Sequence, residues 1–209
     1  VEHYDSSHTD IRDVKAEGAK ILDLLQIRED DVLIDFGSGT GTFAIQAARR
    51  CARVYAIDVS QAMLDFAAAK AIKAGRNNIE FHYAGFLTYE HNDSSVDAVV
   101  TTFAFHHLPD FWKGVALKRI NAMLKPGGRF YIHDVILEES GAFENISTLI
   151  EKLAMSGGEL MREDAERHFK HEFSTYDWVM DGFLKRACFQ IMSKEIQNGV
   201  LGSYLCKKA

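Results

Sequence analysis

The sequence predicts an α/β protein built on a doubly wound, mostly parallel sheet of seven strands that ends in an antiparallel C-terminal hairpin. Three observations support this fold class. Residues 32–137 alternate between strand-like and helix-like segments, which is the order of βαβ units. The first strand runs into the glycine-rich turn FGSGTG at residues 36–41, where sheets of this kind hold ligands. Residues 188–209 read as two strands joined by a polar turn.

The individual elements follow from hydrophobic periodicity in chain order. Apolar residues at helical spacing predict a first helix within residues 11–26. Ser60 is an N-cap candidate for a helix that Gly75 would close. Short apolar runs predict the parallel strands, and the segments between them predict helices. The predicted strands are 32–36, 54–58, 79–83, 96–105 and 129–137, and the predicted helices between them are 44–50, 61–73 and 110–124.

The length of 209 residues predicts one domain with four parts. Residues 1–29 form an N-terminal arm and helix, and residues 30–137 form a cofactor-binding core. Residues 138–187 have helical spacing and many charges, so we expect a helical cap or insert. Residues 188–209 form the closing hairpin around Gln197, Asn198 and Gly199.

Composition narrows the classes of partner. The formal net charge is −6, and an acidic surface repels phosphate backbones, which disfavours a nucleic-acid partner. The three cysteines Cys51, Cys188 and Cys206 have no metal-ligand spacing and fit a reducing compartment. No apolar run approaches the ~18 residues of a membrane span. We therefore expect a cytoplasmic protein without a membrane partner; the oligomeric state is left open.

The glycine turn itself indicates a nucleoside cofactor. Gly37, Gly39 and Gly41 remove side chains where a ligand would approach the backbone. A dinucleotide fingerprint requires glycine at its first, third and sixth positions, but the sixth position here is Thr42. No Lys-Ser or Lys-Thr pair follows the glycines, which excludes a phosphate-loop ATPase motif. The pattern favours a cofactor without a pyrophosphate.

Four motifs in this order resemble the class I S-adenosylmethionine-dependent methyltransferase family. They are LIDFGSGTG at 33–41, VYAIDVS at 54–60, VVTTFAFHHL at 99–108 and LKPGGRFYI at 124–132. The resemblance covers residues 30–137 and carries no motif beyond them. It implies a Rossmann-like methyltransferase fold and S-adenosyl-L-methionine as the cofactor.

The resemblance also implies residues for the methionine and ribose parts of the cofactor. Gly37, Ser38 and Gly39 would line the methionine part, and Asp35 would lie near its ammonium group. Asp58, at the end of the second strand, would accept both ribose hydroxyls. The alternative for Asp58 is a solvated acid at the start of the next helix.

A second set of residues would surround the adenine. The resemblance implies that Val59 and Met63 flank the ring, although core packing is an equal alternative for Met63. The family often has an acidic residue after the third strand that binds the adenine amino group, and here that position is Gly85. We therefore expect recognition through the backbone N–H of Phe86, with its ring stacking on the base. Thr102, within the predicted fourth strand, completes the implied cofactor site.

Candidates for catalysis lie at the carboxyl edge of the sheet. Methyl transfer needs a general base only where the acceptor is an unionised hydroxyl or an ammonium group. His106 and His107 follow the fourth strand, and His133 and Asp134 end the fifth. All three histidines are weak candidates, because a structural role explains each of them equally well or better. No catalytic residue is assigned.

A helical pair of histidines raises the question of a metal. His168 and His171 lie three residues apart in a charged segment, and Glu172 follows them. This spacing could bind a metal ion, but a solvated helix face explains it better. We therefore predict no metal site.

The predicted function is methyl transfer from S-adenosylmethionine to a small-molecule acceptor by in-line displacement. Methylation of RNA or protein is one alternative, and a non-catalytic regulatory module that binds the cofactor is another. A nicotinamide oxidoreductase is disfavoured by Thr42. Residues 1–13 and 138–177 are expected to select the acceptor, and nothing in them names it.

Overall fold

The computed structural model of the protein describes residues 14–93 and 95–209, with the side chain of Lys15 left out. The beginning of the predicted N-terminal arm, residues 1–13, lies outside the described residues. The helices are α1 (Val14–Leu24), α2 (Thr42–Ala47), α3 (Gln61–Lys73), α4 (Asp110–Met123), α5 (Ala142–His171) and α6 (Asp177–Arg186). The strands are β1 (Val32–Phe36), β2 (Arg53–Asp58), β3 (Ile79–Tyr83), β4 (Val96–Thr102), β5 (Leu124–Leu137), β6 (Thr175–Tyr176), β7 (Phe189–Gln197) and β8 (Leu201–Lys208).

These strands form one sheet in the order β3-β2-β1-β4-β5-β8-β7. The first five strands of the chain pair in parallel, whereas β8 runs antiparallel to both β5 and β7. The predicted mostly parallel sheet with an antiparallel C-terminal hairpin is therefore confirmed. The two-residue strand β6, which pairs with the end of β5, was not predicted. Because β1 lies between β2 and β4, the strand order reverses beside it, and a crevice opens at the carboxyl ends of these strands.

Both faces of the sheet are covered, which explains the continuous apolar runs of its central strands. Ile34 and Phe36 of β1 face a core layer that also includes residues of α4 and α6. Leu33 of the same strand faces a layer that includes residues of α1 and α2. The rigid sheet thus holds the carboxyl ends of β1, β2 and β4 at one edge.

Several turns lie at the predicted positions, but β5 begins at Leu124 rather than at the predicted residue 129. The Ser60 hydroxyl accepts a hydrogen bond from the Met63 N–H at 3.4 Å at the start of α3, as predicted. Asn198 and Gly199 both have positive φ, +52° and +69°, as a tight hairpin turn requires. The predicted fourth strand is too long: it ends at Thr102 because Phe103 has a φ of +51°, which extended strands do not accommodate.

The segment predicted as a helical cap is mostly helical. α5 spans Ala142–His171, with non-helical backbone at Gly158, where φ is +73°. It is followed by the short strand β6 and by α6. Among the described helices, none has both the length and the apolar composition that a membrane span requires.

Candidate functional site

The glycine turn between β1 and α2 is a tight loop that only glycines can form without strain. Gly37 has a φ of +72°, and a Cβ at this position would lie 2.3 Å from Cβ of Ala104. Gly41 has a φ of +73°, and its Cβ would lie 2.7 Å from Cβ of Ala67. Gly39 also has a positive φ, +51°, but no atom lies within 4 Å of its Cβ position. Gly37 and Gly41 are thus required by packing, whereas Gly39 borders open space that a ligand can enter.

Asp58 joins this turn to the start of α3. One carboxylate oxygen accepts a hydrogen bond from the Gly39 N–H at 2.8 Å, and the other accepts from the Ser60 N–H at 2.8 Å. Each carboxylate oxygen keeps a further lone pair, so the side chain can still accept hydroxyl donors. The two sequence interpretations of Asp58, a helix-start acid and a hydroxyl acceptor, are therefore compatible in one geometry.

A cavity of about 570 Å³ opens at the crevice beside β1. Its volume lies within the range of small-molecule sites. Part of the cavity wall comes from the loop after β4, through Phe103, Ala104 and His107. Nine of the ten residues predicted to bind the cofactor line this cavity: Gly37, Ser38, Gly39, Asp58, Val59, Met63, Gly85, Phe86 and Thr102.

The tenth predicted residue, Asp35, does not belong to the cavity wall but is buried near it. Its residue surface is only 2% exposed. Among the described residues, its Oδ2 atom has no hydrogen-bond partner. Desolvation by burial, together with the negative charge of Asp58, raises the pKa of Asp35 to about 7. An acid in this state gains strongly from a nearby cation.

The predicted adenine wall is apolar. Val59 is 70% exposed and lines the cavity. A Cβ on Gly85 would lie 2.9 Å from Cγ1 of Val59. Gly85 therefore leaves room for the neighbouring valine. The Phe86 ring is buried and stacks on Phe36 at 5.0 Å, with Phe105 edge-on at 5.2 Å. Most of this ring belongs to the core, which leaves little of it to stack on a base.

The three candidate histidines occupy different environments. His107 is exposed and lines the cavity. His133 is partly buried; its Nδ1 atom hydrogen-bonds the Ser203 hydroxyl at 2.7 Å, and its ring contacts Phe103 at 4.7 Å. His106 is buried and does not line the cavity. Of the three, His107 has direct access to a bound ligand.

His106 is anchored by the carboxylate of Asp134. The Nδ1 atom of His106 and Oδ1 of Asp134 are paired in a short contact. Asp134 also accepts the backbone N–H groups of Phe105 at 2.7 Å and Val135 at 2.7 Å. Burial alone would raise the pKa of Asp134, but the bond and charge of His106 and these N–H groups outweigh it and lower the pKa. Asp134 is thus a hydrogen-bonded residue within β5, three residues before the strand ends at Leu137.

Glu172 brings the end of α5 against the same histidine. One Glu172 oxygen, Oε2, lies 2.9 Å from Nε2 of His106 and 2.7 Å from Nδ1 of His168. The side chains of His168 and Glu172 are 20% and 31% exposed, so the predicted solvated face is wrong for these two residues. It holds for His171, which is exposed. The sequence offered the HxxHE spacing as a signal, but not the contact with His106.

Comparison with known proteins finds methyltransferases both among family models and among sequence relatives. A family model described as a methyltransferase domain matches residues 33–128. An uncharacterized methyltransferase, GK2543 of Geobacillus kaustophilus, is 31% identical over 185 residues, covering 88% of this chain and 80% of the relative.

One further relative and one solved structure extend the comparison. The 27-O-demethylrifamycin SV methyltransferase of Amycolatopsis mediterranei is 31% identical over 125 residues, covering 59% of this chain and 45% of the relative. The crystal structure of a SAM-dependent methyltransferase from Aquifex aeolicus superposes with a TM-score of 0.64 at 21% identity, covering 92% of this chain and 89% of that one. The latter likeness concerns the fold.

Proposed function

The chain belongs to the class I S-adenosylmethionine-dependent methyltransferase family, and on this basis we propose that it binds S-adenosyl-L-methionine and transfers the methyl group to a small-molecule acceptor. The observation that carries the proposal is the cavity beside β1. Nine residues that the family resemblance assigns to the cofactor line this single cavity. The tenth, Asp35, is buried near it.

The residues present fit two polar groups of the cofactor, the ribose hydroxyls and the ammonium group. Asp58 holds a carboxylate with spare acceptor capacity beside the open space at Gly39, which suits ribose hydroxyls. Asp35 has a buried oxygen without a partner among the described residues, which suits the ammonium group. The apolar side chain of Val59, which lies against Gly85 and lines the cavity, suits the face of a flat base.

The bound cofactor would supply an activated methyl group on a sulfonium. The residues of this chain would mainly orient the reactants, since alignment accounts for a large part of the rate gain in such transfers. The loop of Phe103 and Ala104 would form the wall near the reacting atoms. His107 is placed to hydrogen-bond an acceptor group at the mouth of the cavity.

A small-molecule acceptor is supported by charge and by one relative. The net charge of −6 disfavours a nucleic-acid acceptor. A relative with 31% identity over 125 residues is named as a rifamycin methyltransferase. Transfer to RNA or protein, or cofactor binding without turnover, are the competing outcomes.

Calorimetric titration with S-adenosylmethionine, S-adenosylhomocysteine and NAD tests the cofactor. We expect both sulfur compounds to bind with one equivalent and NAD not to bind; binding of NAD alone would refute the proposal. Asp58→Ala should weaken binding of the sulfur compounds by about 1–3 kcal/mol, a 5- to 150-fold increase in Kd, because buried ribose hydroxyls would lose their acceptor.

Asp65→Ala is the matched control, since Asp65 is an exposed acid on the adjacent helix α3. It should leave the Kd unchanged. A thermal melt of each variant separates a folding defect from a binding defect. Incubation with isotopically methyl-labelled S-adenosylmethionine and a metabolite extract, followed by separate analysis of the small-molecule, RNA and protein fractions, tests the acceptor class.

A further inference from the structure

We propose that His106, His168 and Glu172 form a binding site for a divalent transition-metal ion, with zinc as the best match. The site lies between the loop after β4 and the end of α5. It is separate from the cofactor cavity but adjacent to it, since His107 lines the cavity and its Nδ1 atom lies 3.7 Å from Oε2 of Glu172.

The first argument is the convergence of three ligand atoms. Nε2 of His106 and Nδ1 of His168 lie 2.9 Å and 2.7 Å from the same oxygen of Glu172. The ligand atoms of the three residues all lie within 4.8 Å of one another. Ligands at ~2.0–2.1 Å from a tetrahedral zinc ion are about 3.3 Å apart. The contacts to Glu172 need to open by only a few tenths of an ångström to admit the ion.

The second argument concerns the outer nitrogen of each ring. A metal-ligating histidine typically gives its other N–H to a carboxylate or another acceptor, which fixes the tautomer. Asp134 is an acceptor-only carboxylate on Nδ1 of His106, so a neutral ring would keep its proton on Nδ1 and could offer the lone pair of Nε2 to an ion beside Glu172. The Nε2 atom of His168 lies 3.2 Å from the Ser174 hydroxyl, which leaves Nδ1 of that ring for the same centre.

The third argument is that the backbone holds Glu172 in place. The Glu172 N–H donates to the His168 carbonyl at 2.9 Å, and the Phe173 N–H donates to the His106 carbonyl at 2.9 Å. The buried amine of Lys113 donates to the Phe173 carbonyl and to Asp110 at 3.0 Å. The two chain segments that carry the ligands are thus joined before any ion binds, which lowers the ordering cost of binding.

The donor set indicates the class of ion. Two imidazoles and one carboxylate match zinc sites that keep a fourth position open, and also iron(II) sites. Magnesium and calcium prefer oxygen ligands, so two nitrogens disfavour them. If the proposed methyltransferase function holds, the open position would suit an oxygen group of the acceptor.

Metal titration of the full chain without S-adenosylmethionine tests the site independently of methyl transfer. The protein is first dialysed against a chelator and then titrated with ZnCl2 by calorimetry and with CoCl2 by visible absorption. We expect one tight equivalent of zinc and the absorption bands of cobalt bound to nitrogen ligands. Absence of a stoichiometric equivalent in the wild type would overturn the proposal and leave a hydrogen-bonded ion pair in its place.

Variants locate the equivalent. His168→Asn and Glu172→Gln should each raise the zinc Kd at least ~100-fold, since loss of an outer partner alone costs 10–100-fold. His171→Asn is the matched control, because His171 is an exposed histidine on the same helix, and it should bind as the wild type does. Unchanged zinc binding in both ligand variants would refute the assignment. His106 is left intact because it is buried and its loss would endanger folding.

Discussion

Replacing Asp35 by Asn should remove the pH dependence of cofactor binding below neutral pH. Asp35 is buried, and its Oδ2 atom has no hydrogen-bond partner among the described residues. Its pKa is raised to about 7 by burial and by the charge of Asp58. If the ammonium group of S-adenosylmethionine binds the ionised carboxylate, then binding must release a proton wherever Asp35 is protonated beforehand.

The magnitude follows from the titration curve. With a pKa of about 7, roughly half of the free protein carries the ionised form at pH 7, and about 3% carries it at pH 5.5. The Kd should therefore rise about fifteenfold as the pH falls from 7 to 5.5. The range stops at pH 7 because α-amino groups begin to lose their own proton near pH 8.

Calorimetry in two buffers of different ionisation enthalpy measures both the Kd and the number of protons released. We expect about half a proton at pH 7 and close to one at pH 5.5. Asp35→Asn should bind more weakly than the wild type at pH 7, with a Kd that no longer changes over this range, whereas Asp65→Asn should retain the wild-type slope. A flat Kd in the wild type, or the same slope in Asp35→Asn, would refute the role assigned to Asp35.

The same pKa predicts that the stability of the free protein falls as the pH rises, whereas cofactor binding strengthens. The folded pKa, about 7, lies above the ordinary value of 3.8, so the folded state retains a proton that the unfolded state has lost. The contribution of Asp35 to stability therefore falls as the pH rises from about 4 to 7. Asp35→Asn avoids this loss, so its Tm should be higher than that of the wild type at pH 7, although it should bind the cofactor more weakly.

Two further predictions concern the loop and the end of α5. Gly37→Ala should destabilise the fold by about 2–5 kcal/mol, because it adds a clash with Ala104 to the cost of positive φ. In Gly39→Ala the new Cβ meets no atom, so this variant should cost only about 1–2 kcal/mol of stability and should mainly weaken S-adenosylmethionine binding. Equal losses of Tm in the two variants would contradict this difference. Lys113→Met should cost about 1–3 kcal/mol in urea unfolding, because the Phe173 carbonyl and Asp110 lose a buried donor, and should weaken zinc binding. The exposed Lys118→Met on the same helix should stay within about 0.5 kcal/mol, and a similar loss in both would contradict the bridging role.

The glycine turn was predictable because its determinants are local. Gly37 and Gly41 mark positive φ within a few residues of a strand, and Asp58 ends the next strand in parallel register with β1. Parallel pairing then brings their ends to one edge without further information. What local pattern cannot reveal is the environment of a side chain. Phe86 was expected to stack on the base; it lines the cavity, but its ring also packs in the core against Phe36 and Phe105.

The histidine cluster escaped prediction for the opposite reason. His106 and Asp134 are 28 residues apart in sequence, and Glu172 comes from the end of a long helix. Their contact depends on how α5 returns to the sheet, and the short pairing of β6 with β5 guides that return. Helical spacing indicated one face for His168 and His171, but it did not indicate which of them would meet the loop after β4.

The two acids of the proposed cofactor site differ in whether their hydrogen-bond partners are already present in the free protein. The charge of Asp58 is balanced by the N–H groups of Gly39 and Ser60, so this residue is satisfied before any ligand arrives. Asp35 has no such donor on Oδ2 among the described residues. Burial and the charge of Asp58 raise its pKa to about 7, so a large share of the side chain is protonated at neutral pH. A cation at this end would both ionise Asp35 and offset the repulsion between the two acids. Discrimination between charged and uncharged ends of a ligand should therefore come from Asp35, and removal of the ammonium group from S-adenosylhomocysteine should weaken its binding far more in the wild type than in Asp35→Asn.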